Sequence, residues 1–344
     1  MERQAVLVTG AGGFIGGHLV AELLRRGHRH VRAVDRKPLD DWHQVHDGVD
    51  NVVADLNRRE ACDRVCDDIF QVFQLAADMG GMGFIETHKA DCMLSVLINT
   101  HMLLAARDAG VRRYFFASSA CVYNADLQSD PDVTALCEAD AYPAMPEDGY
   151  GWEKLFSERM GRHFREDYGL ETRAARYHNV YGPQGTWEGG REKAPAAICR
   201  KVVEAVISGE HSIEIWGNGE QTRSFTYIDD CLEGTLQIAA SDVTEPLNLG
   251  SSELVSINQL VSLVEEIAGI ELTRYYNPDA PIGVAGRNSD NTRIQEALGW
   301  EPSTPLRDGM EKTYKWVYDA YLRRYAGRLG PRSSAPLGAH AKDR

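Results

Sequence analysis

Two short runs hold the residue types from which a proton-transfer site could be assembled. Ser118-Ser119-Ala120-Cys121 stands at the C-terminal end of an apolar stretch, Val111 to Ala117, and Tyr150-Gly151-Trp152-Glu153-Lys154 follows it. On a helix, positions i and i+4 share a face, so the phenol of Tyr150 and the ammonium of Lys154 would stand side by side. An unperturbed phenol has a pKa of about 10, and a neighbouring cation favours its ionised form. With the Ser119 hydroxyl in reach, the phenol could take the proton of an alcohol that is being oxidised to a ketone. The spacing alone is equally that of a surface helix pair, so the meaning of these residues depends on what positions them.

The positioning elements are legible from the apolar periodicity. Ala5 to Thr9 is a short apolar strand, and Gly10-Ala-Gly-Gly-Phe-Ile-Gly16 follows it and opens an amphipathic helix that ends near Arg26. Gly10, Gly13 and Gly16, with Phe14 and Ile15 between them, form a turn through which a backbone can approach a pyrophosphate at a helix N-terminus. Val31 to Asp35 is a second strand. The Asp35 carboxylate suits a ribose 2′-hydroxyl and would repel a 2′-phosphate, so NAD is expected rather than NADP. Val52 to Asp55 is a third strand, whose terminal Asp55 would meet the adenine. Phe70 to Ala77 is a fourth, with Leu75 and Ala77 as candidate cofactor contacts. In the segment Asp78 to Phe84, Gly80 and two further glycines imply either a flexible turn or close backbone approach to the cofactor or the substrate. A long helix is expected from Ile85 to Ala109, and Glu171 to Arg176 is a sixth strand. Strands alternating with helices predict an α/β fold, a right-handed, doubly wound parallel sheet of Rossmann type. Ligands of such a sheet bind at the C-terminal edge of its strands, where Ser119 and Cys121 fall.

Composition bounds the partners. The chain of 344 residues is 43% hydrophobic and 26% charged, with a formal charge of −14, which argues against nucleic acid and against an anionic membrane surface. No apolar run approaches the ~18 residues of a membrane span. The N-terminus enters a strand at once, unlike a signal peptide, and a cytoplasmic location is expected. Seven cysteines without a C-x-x-C pair read as reduced thiols; Cys62 and Cys66 have no His partner and are expected to pack, and no metal site is expected. Residues 1–180 would bind the cofactor, with residues 220–250 returning to that part. Residues 181–324 would form a smaller, interleaved C-terminal substrate part, and 325–344 a disordered tail.

In order, Gly10-x-x-Gly13-x-x-Gly16, Tyr150-x-x-x-Lys154, His178-Asn179-Val-Tyr-Gly-Pro183 and Gly217-x-Gly-x-Gln221-x-Arg223-x-Phe225 are similar to the extended short-chain dehydrogenase/reductases that act on nucleotide sugars. The segments Asp78 to Phe84, Ser118 to Cys121, Gly185 to Ala196 and Gly286 to Asn291 resemble the branch of that family that inverts C3 and C5 of GDP-mannose. That resemblance implies an isomerase with NAD as cofactor, a GDP-sugar as substrate and a homodimer formed through the helices of residues 99–110 and 150–168. It implies transient oxidation at C4, with Tyr150 as the base and Lys154 and Ser119 beside it. The ketone would acidify C3 and C5, and a base and an acid on opposite faces would invert them. Cys121 and Lys193 suit that pair: Cys121 would be tuned toward thiolate by the lysine, and Lys193 by partial burial. From position alone Cys121 reads equally as a packed thiol. Lys193 is expected in a helix's first turn, where a cation opposes the macrodipole and hints at an anionic partner. Arg223, Arg287 and Lys201 are candidates for the diphosphate, two arginines from separate loops forming a clamp, with Arg191 as the other possible phosphate contact. Gly80, Ala120, Asn179, Glu192, Ala194, Gln221 and Thr222 complete the substrate set by resemblance. A nucleotide-sugar 4-epimerase or 4,6-dehydratase on the same scaffold is the alternative, and a non-catalytic NAD-binding protein the remote one.

Overall fold

The computed structural model describes residues 5–326. Strand β1, Val6–Thr9, is buried along its whole length, and its side chains alternate between two cores. Val6 and Val8 pack with Leu19, Leu23 and Ile228, whereas Leu7 packs with Val34, Val72, Met102 and Phe116 on the other face. A strand apolar on both faces needs helices on both sides, and this sequence supplies them.

The central sheet adds β2 (Val31–Asp35), β3 (Asp50–Val53), β4 (Gln71–Gln74), β5 (Arg113–Ser119), β6 (Glu171–Tyr177) and a last strand, Leu247–Leu249. Its order is Leu247–Leu249, β6, β5, β4, β1, β2, β3, and every pairing is parallel. The chain moves outward from β1 through β2 to β3, then returns to β4 on the opposite side of β1. That reversal opens a crevice beyond the C-terminal ends of β1 and β4, the place where a doubly wound sheet binds ligands.

Helix α1 is Phe14–Arg25, α2 is Arg59–Cys66, α3 is Met82–Thr87, α4 is Lys89–Asp108, α5 is Tyr150–Tyr168 and α6 is Ala194–Ser208. The helix expected from Ile85 to Ala109 is in fact two, because His88 leaves helical geometry (φ −128°, ψ 43°) between α3 and α4. Helix α5 starts after Gly149 at φ +75° and stops at Gly169 at φ +71°, backbone conformations that favour glycine at both ends. Cys62 and Cys66 pack in the second core, where burial pushes both thiols up to about 12.

Beyond the central sheet, three small sheets build a separate layer around α6. They are Val180–Tyr181 with Thr226–Tyr227, Ser212–Trp216 with Thr273–Asn277, and Thr222–Ser224 between Leu254–Ser256 and Gly286–Arg287. The final helix, Leu306–Tyr325, covers this layer and takes in the first residue of the expected tail; residues 327–344 lie outside the described residues. Among the described residues no helix is long and apolar enough to cross a membrane.

Candidate functional site

The turn between β1 and α1 is built for close approach. Gly10 sits at φ +68°, and its carbonyl oxygen lies where a Cβ on Gly16 would come within 2.2 Å. Any side chain at 16 would therefore push the helix start away from the strand. The Asp35 carboxylate accepts from the Gly12 N–H at 3.1 Å and from the Lys37 N–H at 3.0 Å, which fixes it at the end of β2. A cleft of about 540 Å³ opens here, and Gly10, Gly13, Phe14, Ile15 and Gly16 form one wall of it. Asp35, Asp55, Leu75, Ala77 and Gly80 continue the wall, and Ser119, Tyr150, Lys154 and Lys193 stand at the far end. Asp55 falls two residues past β3 and is held in its loop by Asn57, whose backbone N–H it accepts at 3.1 Å.

Strand β5 delivers Ser119 to the sheet's edge, and α5 brings Tyr150 and Lys154 across from it. The helix comes this close because residue 151 is glycine: a Cβ there would lie 2.3 Å from the Cys121 carbonyl oxygen. Lys154 is buried, with Nζ 3.7 Å from Glu153 Oε2, 4.8 Å from the centroid of the Phe116 ring and 5.4 Å from that of Tyr150. Glu153 is anchored by Asn99 and by the Ser157 hydroxyl at 3.0 Å, and Asn99 accepts from Gln74 Nε2 at 2.8 Å, so β4, α4 and α5 are tied by one buried polar chain. The chain's own groups do not lower the phenol as the spacing suggested. Burial, then the neighbouring Cys121 and Glu153, raise the Tyr150 pKa well above its ordinary value, and the Ser119 hydroxyl pulls the other way. The Lys154 charge is shared with Glu153, which blunts it.

Cys121 follows in a short turn, Ala120–Val122, its backbone N–H donating to Ser119 Oγ at 3.2 Å. Its side chain packs with Tyr150, which lines the cleft, and with Phe84 and Cys92. Its sulfur accepts from Arg287 Nη1 at 3.6 Å. Burial and the Glu147 carboxylate raise this thiol, and Arg287, Ser119 and Lys193 only partly offset them, so the expected tuning toward thiolate is corrected to a thiol held protonated. Lys193 is lowered as expected, by burial first, with Arg287 adding to it and Cys121 opposing. It is the residue before α6 rather than a residue of its first turn.

The candidate phosphate cations are already engaged by protein groups. Arg287 donates through Nε to Gln128 Oε1 at 2.6 Å and is paired with Glu147, and Arg223 donates to the carbonyls of Ile282 at 2.9 Å and Val284 at 2.6 Å. Burial and the nearby Arg287 push Arg223 down to about 10. Lys201 reaches the Glu214 carbonyl at 2.7 Å, away from the cleft lining, and Arg191 is bound to Asp78. Asn179, at φ +37°, donates to the Ser224 carbonyl at 3.1 Å. Gln221 donates to the Trp216 carbonyl at 2.9 Å and keeps its own Oε1 buried without a partner among the described residues; Thr222 Oγ1 donates to the Pro131 carbonyl. Glu192 accepts the Gly190 N–H at 2.7 Å, and its carbonyl lies so near Gly81 that a Cβ there would approach to 2.3 Å, which brings the segment carrying Lys193 and Ala194 against the Gly80 loop. Ala120 is buried behind the cleft.

Residues 6–250 match the NAD dependent epimerase/dehydratase family. The chain belongs to this family. It is 45% identical to GDP-mannose 3,5-epimerase 1 of Oryza sativa subsp. indica, over 92% of this chain and 82% of that protein. It is 44% identical to GDP-mannose 3,5-epimerase of Arabidopsis thaliana, with the same coverage. The solved UDP-glucuronic acid 4-epimerase of Bacillus cereus, in complex with UDP-glucuronic acid and NAD, superposes with a TM-score of 0.80 at 25% identity, covering 92% of this chain and 100% of that one. NAD is the cofactor of this epimerase/dehydratase, and the cleft fits it: the glycine cradle would be filled by any Cβ at 16, and a fixed carboxylate at 35 awaits a ribose. Glu147 and Gln128, which hold Arg287 against Cys121, carry no signal in the sequence, since one lies in a loop and the other ends the single short turn Ala125–Gln128, too short to show a periodicity.

Proposed function

We propose that this chain epimerises GDP-mannose at C3 and C5, giving GDP-L-galactose, GDP-L-gulose or both, and regenerates its cofactor in each cycle. The observation that carries this reading is the packing of Cys121, from the turn after β5, against Tyr150, with Lys193, the residue before α6, lining the same cleft as Tyr150 and Lys154. The relatives that share 44–45% identity over nine-tenths of the chain are GDP-mannose 3,5-epimerases, which supports the same substrate.

Bound NAD supplies a reversible hydride acceptor for C4. The protein's part is proton transfer and orientation. Tyr150 takes the proton of the C4 hydroxyl and later returns it, with Ser119 hydrogen-bonding the same oxygen and Lys154 behind the ring. Once C4 is a carbonyl, the hydrogens on C3 and C5 are acidic, because each carbanion is an enolate. Cys121, its thiol raised by burial, and Lys193, lowered by burial, move protons on and off those carbons. Gly10, Gly13, Gly16, Asp35 and Asp55 hold the dinucleotide; Asn179, Glu192, Gln221, Thr222, Arg223 and Arg287 hold the nucleotide sugar. On this reading residues 1–180, with 220–250, serve the cofactor and 181–324 serve the sugar. The seven free thiols support a cytoplasmic location. A homodimer is supported by apolar side chains exposed on α4 and α5, Met93, Leu94 and Leu97 with Trp152 and Phe156.

The test is incubation with GDP-mannose in deuterated water. Deuterium at C3 and C5 of the epimeric products, without loss of water, is the expected result. A 4-keto-6-deoxy sugar, or a C4 epimer with no solvent deuterium, would overturn the reading in favour of a dehydratase or a 4-epimerase.

A further inference from the structure

Three charges from distant parts of the chain meet at Asp78, just past β4. Its Oδ2 accepts from Arg36 Nη2 at 3.1 Å, and its Oδ1 accepts from Arg191 Nη1 at 2.8 Å. All three residues line the cleft. Arg36 and Lys37 directly follow Asp35, the residue placed to read the ribose nearest the adenine. A cation at that point is what a 2′-phosphate would require, since a guanidinium matches phosphate oxygens in geometry and charge. Neither cation is free. Lys37 Nζ donates to the Gly12 carbonyl at 2.6 Å, and Arg36 is held by Asp78.

Asp78 is the fixed member of this arrangement. Its backbone N–H donates to Ser95 Oγ at 2.9 Å. The Arg191 guanidinium that grips it lies 3.7 Å from the centroid of the Phe84 ring and also donates to the Met79 carbonyl at 3.3 Å. The Asp78 side chain is 18% exposed, against 53% for Arg36, so the arginine is the partner with freedom to move. Burial opposes ionisation of Asp78, yet the hydrogen bonds and charges of Arg191 and Arg36 outweigh it and hold its carboxyl below the usual range.

We propose that Asp78 determines cofactor choice by keeping Arg36 from a 2′-phosphate, so that two carboxylates exclude NADP: Asp35 by repulsion and Asp78 by capturing the cation that would compensate it. The inference rests on the NAD reading of the cleft and concerns the cofactor alone. It is tested by the dissociation constants of NAD⁺ and NADP⁺, measured calorimetrically on the full chain with no sugar present. Asp78→Asn is expected to tighten NADP⁺ relative to NAD⁺ by about tenfold, the scale of one charge-assisted arginine contact. The double variant Asp78→Asn with Arg36→Ala is expected to return the ratio to its starting value. Arg36→Ala alone, which leaves Asp78 and Arg191 paired, is expected to leave NADP⁺ affinity unchanged. An unaltered ratio in Asp78→Asn, a gain that persists in the double variant, or weaker NADP⁺ binding in Arg36→Ala would each overturn the proposal. Wild-type protein that binds neither dinucleotide would overturn the cofactor reading itself, a result distinct from those three.

Discussion

At the scale of single residues, the candidate site is a set of ionisable groups whose charged forms burial opposes. Tyr150 and Cys121 are raised and Lys193 is lowered, burial being the largest cause in each. Neutral groups cost least inside a protein, and a proton can pass between them once a substrate carbonyl makes a neighbouring carbon acidic. Cys121→Ala and Lys193→Ala should each lower epimer formation by about a hundredfold or more while NAD stays bound. Solvent-deuterium incorporation measures this, and full turnover in either variant would remove that residue from the mechanism. His178 makes a second prediction. It is fully buried, its Nε2 pairs with Asn248 Oδ1 at 3.0 Å, and burial pushes its pKa from 6.5 down to about 3. As pH falls through 6.5 the unfolded chain binds a proton there that the folded chain refuses, so this site destabilises the fold progressively between pH 6.5 and about 3. Replacing His178 with Gln should flatten the fall of Tm over that window; an unchanged slope would assign the acid sensitivity to other groups.

At the scale of elements, two glycines set distances that chemistry depends on. Gly151 lets α5 lie against the Ala120–Val122 turn, and Gly16 lets α1 start against Gly10. Neither has a positive φ, so the requirement is space rather than backbone freedom. Gly151→Ala must move the start of α5 or the turn. It should cost about 1–3 kcal/mol of stability, as overpacking does, and lower kcat far more than it raises KM, because Tyr150 is displaced from Ser119. Denaturant unfolding and steady-state kinetics read the two effects separately; unchanged kcat would show that the helix contact is not what places the phenol. The break at His88 belongs to this scale too. Periodicity ran through it, because both halves carry apolar residues at helical spacing, and only packing set Phe84 and Ile85 of α3 against Cys121 and Tyr150 and Ile98, Met102 and Leu103 of α4 against the sheet.

At the scale of the whole molecule, the sheet's reversal at β1 and β4 opens a cleft that the glycine turn after β1 and the segment carrying Lys193 both line. The outer face of α4 and α5 is left apolar. Its exposed stripe on α4 is at 93–97, earlier than the expected 99–110, since Asn99, Met102, Leu103, Ala105 and Ala106 face inward. Leu94→Asp combined with Phe156→Asp should convert a dimer to monomers in sedimentation analysis, because two charges on each face cannot be buried against their copies. A wild-type monomer, or a variant that remains dimeric, would show that this face is not the interface.

The sequence by itself determined the glycine turn, the acid at the end of β2, the alternation of strands and helices and the Tyr150-Lys154 spacing. These are local features, in which propensity and steric demand act within a few residues. It also supplied the candidate pair Cys121 and Lys193, through likeness to a family rather than through physics. What only the tertiary structure decided is the company each charge keeps: Arg287 with Glu147 and Gln128, Arg223 with the 282–284 carbonyls, Asp78 with Arg36 and Arg191. The reason is that a buried ion's state depends on the distance to its partners and on the water excluded around it. Those partners lie scores of residues away along the chain, where no sequence pattern records them.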